Sequence, residues 1–167
     1  LHYHGKSKGF KPDTEYSDYD ERTDFRLFIM NQGNRFESSV TKYISELFPI
    51  HRVREPMESS SDDRVFSKTL SAMRSGSPVI YQAVLRDETT ETYGIADFLI
   101  RSDVFGELFS RYRGDESTIL GSPLLGDGSW HYRILDAKFT TLRFSAAGNL
   151  STSGSAWAYM LQLFIYN

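Results

Sequence analysis

From His131 to Phe139 the chain reads as a strand that is apolar on both faces, yet it carries an acid and a lysine two residues apart. In an extended strand, residues i and i+2 share a face, so Tyr132, Ile134, Asp136 and Lys138 project together. Leu135, Ala137 and Phe139 cover the other side. A strand apolar on both faces needs cover on both, which predicts the centre of an α/β sheet with the charged end at a cleft. Opposite charges in such a place are costly to desolvate unless they pair or bind a metal.

The rest of the chain supplies elements for that sheet. Pro78 to Leu85 reads as a strand, and Arg86 to Thr92 as a polar turn. Tyr93 to Arg101 then reads as the hairpin partner. Regular alternation puts Ala96, Phe98 and Ile100 on one face and Ile95, Asp97 and Leu99 on the other, so Asp97 interrupts an apolar face as Asp136 does. Upstream, a break at Asn31-Gln32-Gly33-Asn34 precedes a helix over 35–48, with Phe36, Val40, Tyr43 or Ile44, and Leu47 on one stripe. Pro49 stops it, and Glu37 falls in its first turn, where the helix dipole favours a carboxylate. Residues 50–63 read as a polar loop. A second helix spans 65–74, with Phe66, Leu70 and Met73 on one face and a glycine stop at Gly76. Val104 to Tyr112 reads as a short helix, and Gly114 to Gly128 as a loop. The apolar run over 156–166 predicts a buried helix, with Gln162 and Tyr166 one turn apart on one face.

Length and composition narrow the function classes. A chain of 167 residues, 40% hydrophobic and rich in Phe and Tyr, suits one domain over 24–167. The first 23 residues form a polar, acidic arm in which His2 and His4 assign no function. The start at Leu1 predicts a fragment of a larger protein. With no cysteine, the chain holds no disulfide, no thiolate zinc site and no cysteine-held iron–sulfur cluster, which fits a reducing, intracellular setting. A net charge of −3 gives no general attraction to nucleic acid, although acidic metal sites are locally negative before the ion arrives. Arg111 and Arg113 read as a solvated face or as phosphate contacts. No apolar run has membrane-spanning length, and no phosphate loop, zinc-ligand spacing or nucleophile elbow is present.

Each acidic residue is a weak signal alone; their order is a stronger one. Gly33-Asn34-Arg35-Phe36-Glu37, Gly94-Ile95-Ala96-Asp97, Asp136-Ala137-Lys138 and Gln162-Leu163-Phe164-Ile165-Tyr166 follow one another on a helix, two strands and a last helix. This series resembles the PD-(D/E)XK nuclease superfamily, in its RecB-like branch. The run from Ala72 to Ala83 is similar to RecB-family nucleases fused to helicases.

The resemblance implies a restriction-endonuclease-like fold, a mixed central sheet flanked by helices in the order α-β-β-β-α. It implies DNA as substrate, single- or double-stranded, and a helicase domain on the same polypeptide as a partner. It also implies Mg²⁺ or Mn²⁺ held by Asp97 and Asp136, by Glu37 directly or through water, and by the Ala137 carbonyl. Hard oxygen donors suit those ions. Lys138 then orients or deprotonates the attacking water, and Gln162 and Tyr166 position the nucleic-acid backbone or the lysine. The second acid is Asp where many relatives have Glu, and a histidine found before the first acid in many relatives has no clear counterpart, so one metal or two stays open. The alternatives are a nuclease-like module that binds without cutting, and a structural domain whose buried charges pair.

Overall fold

In a computed structural model, residues 17–109, 125, 130–151, 154 and 156–166 are described. The acidic arm up to residue 16, Arg111, Arg113 and most of the loop over 114–128 lie outside them. The described chain is mixed α/β. After one 3-10 turn at Glu21–Thr23, the order is α1 (Phe25–Leu47), β1 (Ile50–Arg52), α2 (Asp63–Arg74), β2 (Val79–Asp87), β3 (Thr92–Arg101), α3 (Ser102–Leu108), β4 (Tyr132–Leu135) and α4 (Ala156–Tyr166).

The four strands form one mixed sheet in the order β1-β2-β3-β4, with β1 parallel to β2 and the other pairs antiparallel. On one face Ile44 of α1 and Val104 of α3 pack against Val79, Tyr81, Phe98 and Ile100, with Leu135 and Ala137 beside them. On the other, Ala72 and Met73 of α2 pack against Ile80, Ala83, Ala96 and Leu99, joined by Tyr132 and Ile134. Leu135 and Ala137 lie on the face opposite Tyr132 and Ile134, so both faces of β4 are in contact with the core. Yet β4 is an edge strand of the described sheet, half-buried and paired among the described residues only with β3; the central strands are β2 and β3, not the strand the sequence placed at the centre.

Several boundaries differ from the sequence reading, for identifiable reasons. The expected break at residues 31–34 is absent, and α1 runs 23 residues straight through it. A mid-helix glycine costs only about 1 kcal/mol relative to alanine, and the Asp24 side chain caps the new start by accepting from Leu27 N. Within the stripe, Ile44 is the buried residue while Tyr43 and Leu47 are exposed. The inner face of α2 is Val65, Thr69 and Ala72, one position back from the expected Phe66, Leu70 and Met73. The supposed loop after Pro49 contains β1, too short for alternation to reveal. Helix α3 ends at Leu108, four residues before the expected Tyr112. The last helix is not buried all round: Trp157, Leu161 and Phe164 are exposed, and Ala156, Tyr159 and Gln162 form the half-buried stripe.

The glycine stop of α2 is real and doubly determined. Gly76 takes φ +70°, with Gly76 N donating to Met73 O at 3.1 Å and Ser77 N to Ala72 O at 3.0 Å, the paired bonds of a left-handed helix end. A Cβ at Gly76 would also lie 2.9 Å from the Trp130 ring. Gly76→Ala is expected to cost about 1–3 kcal/mol, read as a lower urea midpoint at unchanged slope. A midpoint equal to wild type would show that turn and indole both give way.

Candidate active site

The site begins with a fault in the central hairpin. The β2–β3 ladder pairs Tyr81 with Phe98 and Ala83 with Ala96, and skips Gln82 opposite Asp97. Gln82 has φ +57°, a left-handed conformation that costs a non-glycine residue about 1–2 kcal/mol. Alternation changes phase at this point in both strands. Tyr81 and Phe98 pack towards α1, whereas their neighbours two residues away, Ala83 and Ala96, pack towards α2. The expected grouping of Ala96 with Phe98 and Ile100 is thus corrected: Ala96 shares a face with Leu99. One extra residue per strand turns two polar side chains out of an otherwise continuous core.

Glu37, on the fourth turn of α1 and not the first, meets this fault. Tyr81 Oη donates to Glu37 Oε1 at 2.7 Å and Gln82 Nε2 donates to the same oxygen at 2.8 Å. Arg54 Nη1 donates to Gln82 Oε1 at 3.3 Å. Burial, followed by the Glu37 hydrogen bond, holds the Tyr81 phenol above its ordinary range.

Strand β4 stops at Leu135, so Asp136, Ala137 and Lys138 lie just past its end and not inside a strand reaching 139. The two charged side chains still project together, with Lys138 Nζ 2.8 Å from Asp136 Oδ2. The backbone leaves the ladder here because Ala137 N donates to Asp97 Oδ2 at 2.8 Å, tying the two acidic segments to each other. Asp136 is deeply placed, its side chain 4% exposed against 33% for Lys138. Its Oδ2 is buried without a properly aligned hydrogen bond; the lysine is close enough for Coulomb attraction but off the angle that bonding requires.

Asp97 carries the electrostatic cost of the cluster. Asp97 is pushed up to about 7, first by burial and then by the adjacent Asp136 carboxyl, with the Glu37 charge a smaller contributor and the Ala137 N–H opposing. A carboxyl with such an affinity for a proton is equally disposed to a cation that would relieve the crowding. Among the described residues no three acid or histidine side chains converge into a ready-made metal cage; Asp97 and Asp136 come together, while Glu37 acts on Asp97 through its charge. The donor chemistry nonetheless fits a hard divalent cation, since carboxylates and a backbone carbonyl are oxygen donors and one buried oxygen lacks an aligned partner.

Gln162 is half-buried on α4. Tyr159, one turn earlier on the same stripe, places its ring 5.9 Å from Lys138 Nζ, within cation–π range. Tyr166 closes α4, and its side chain lies outside the described residues. Sequence reasoning assigned no role to Tyr81, Gln82, Arg54 or Tyr159. Gln82 carried one usable signal, a lone polar residue in the apolar run from Val79 to Leu85. A scan against protein-family models and searches of curated proteins and of solved structures return no match to this chain.

Proposed function

We propose that this domain is a metal-dependent nuclease that hydrolyses phosphodiester bonds in DNA, a RecB-like member of the PD-(D/E)XK superfamily with its α-β-β-β-α core. The observation that carries the reading is the juxtaposition of Asp97 on β3 and Asp136 just past the end of β4, with Ala137 N donating to Asp97 and Lys138 facing Asp136. Asp97 and Asp136 would hold Mg²⁺ or Mn²⁺, with the Ala137 carbonyl and Glu37 completing the set. Such an ion supplies an activated water and offsets charge on the leaving oxygen.

The chain's own residues do the rest. Ala137 N fixes Asp97 by one oxygen, and the side chain lies against the Asp136 carboxyl, so their shared proton would give way to a cation entering between the two acids. Lys138 Nζ, one contact from Asp136 Oδ2, orients the attacking water or takes its proton, and its charge offsets the negative charge gathering at phosphorus. Tyr159 lines the approach to that amine. Gln162 and Tyr166 would position the DNA backbone. A helicase domain on the same polypeptide would present the strand.

The test is incubation with end-labelled single- and double-stranded DNA and RNA in Mg²⁺, Mn²⁺ or EDTA. Cleavage is expected with metal and none with EDTA. Lys138→Ala should remain folded, because the lysine is partly exposed, and should cut about 10²–10⁴-fold more slowly. A folded variant cutting at the wild-type rate would remove Lys138 from the mechanism. A second reading, a nuclease-like module that binds DNA without cutting, draws on Glu37 Oε1 already accepting from both Tyr81 and Gln82. Retention of labelled DNA with no cleavage under any metal would favour it.

A further inference from the structure

The ladder fault gives Gln82 a conformation that its sequence position does not need for packing. Its neighbours Tyr81 and Ala83 are buried in the core, whereas its own side chain leaves the sheet and reaches α1. The amide is set end for end: Oε1 accepts from Arg54 at 3.3 Å, which turns Nε2 onto Glu37 Oε1 at 2.8 Å. Tyr81 Oη occupies the same oxygen at 2.7 Å. Glu37 Oε1 is therefore held by two donors, and Oε2 carries no hydrogen bond among the described residues. Opposite Gln82 in the sheet stands Asp97. A strained residue is retained where its surroundings over-determine it, and here they connect α1 to the acid pair.

We propose that Gln82, resting on the metal-site reading above, is a positioning residue: its carboxamide, itself oriented by Arg54, fixes Glu37 so that the free Oε2 completes the cation site formed by Asp97 and Asp136. Because no three acids converge among the described residues, Glu37 reaches the ion through water, held for that role by two hydrogen bonds, and Gln82 acts only through it. Groups that orient metal ligands in this way typically alter affinity 10- to 100-fold when removed, by about one to two decades. A structural role predicts a different outcome. Glycine adopts φ near +57° without strain, so Gln82→Gly should relieve the backbone while deleting the amide.

The experiment is Mn²⁺ titration of the metal-free protein by calorimetry, with the thermal midpoint measured on the same samples. Gln82→Gly is expected to keep or raise the midpoint and to weaken Mn²⁺ binding by roughly 10- to 100-fold. On a Glu37→Gln background, Gln82→Gly should weaken binding no further, because the residue it positions is already disabled. Wild-type affinity in Gln82→Gly, or an undiminished loss on the Glu37→Gln background, would overturn the proposal while leaving the metal site standing. Wild-type protein that takes up no Mn²⁺ would overturn the metal reading and this proposal with it.

Discussion

Asp97→Asn is expected to raise the thermal midpoint of the metal-free protein by about 5 °C at pH 8 and to lower cleavage at least about 10³-fold. The folded carboxyl titrates near 7 against an ordinary 3.8. Between those values the folded state keeps a proton that the unfolded state has lost, so this group's contribution is full below pH 3.8 and is lost as pH rises through 7. Asparagine removes the loss: its carbonyl can still accept from Ala137 N, and its amide can donate to Asp136. One pKa unit corresponds to about 1.4 kcal/mol. Solvent screens part of this at a group that is not fully buried, so about 2 kcal/mol is taken for the effect. Wild type and variant should converge near pH 4 and separate towards pH 8 in thermal melts. Parallel curves over that range would mean that the two acids are not crowded. Added Mg²⁺ should stabilise wild type and leave the variant nearly unchanged.

Phe98→Ala should be the most damaging single change to the core, costing about 3–5 kcal/mol and lowering the thermal midpoint by about 10 °C. Phe98 is 0% exposed. Its ring lies 5.1 Å from that of Tyr81 at a 40° tilt and packs among Val79, Ile100 and Ile44. The position is also adjacent to Asp97, and the Tyr81 hydroxyl that the ring supports is the one donating to Glu37. Truncation therefore opens a cavity and loosens a support of the site together. Chemical denaturation would measure the loss, and a value under about 1 kcal/mol would show that the surrounding side chains close over the gap.

What was legible in the sequence followed from short-range pattern. The strands over Val79–Asp87 and Thr92–Arg101 were marked by dense apolar runs around a polar turn, and the stop of α2 by its glycine. The pairing of Asp136 with Lys138 followed from i, i+2 spacing, and it survives although the strand ends before both residues. Other features depended on tertiary context. Helix α1 runs through Gly33 because a long helix absorbs one weak residue, and its cap, Asp24, stood outside the expected span. The exposure of α4 was hidden because an apolar residue reports a preference for burial, not the presence of a partner. The phase change at Gln82 and Asp97 was invisible to an alternation rule that assumes every strand residue is paired.

That phase change has a consequence for how such a hairpin can vary. Without Gln82, Tyr81 and Ala83 would be successive residues on opposite faces, and without Asp97 so would Ala96 and Phe98; the hairpin would then be regular, closed and chemically inert. Losing just one of the two would keep every apolar side chain in its layer and leave an ordinary bulge, one unpaired residue opposite a regular strand. The polar pair at the centre of this sheet is thus an addition to a complete apolar hairpin, two unpaired residues facing each other that the core itself does not need.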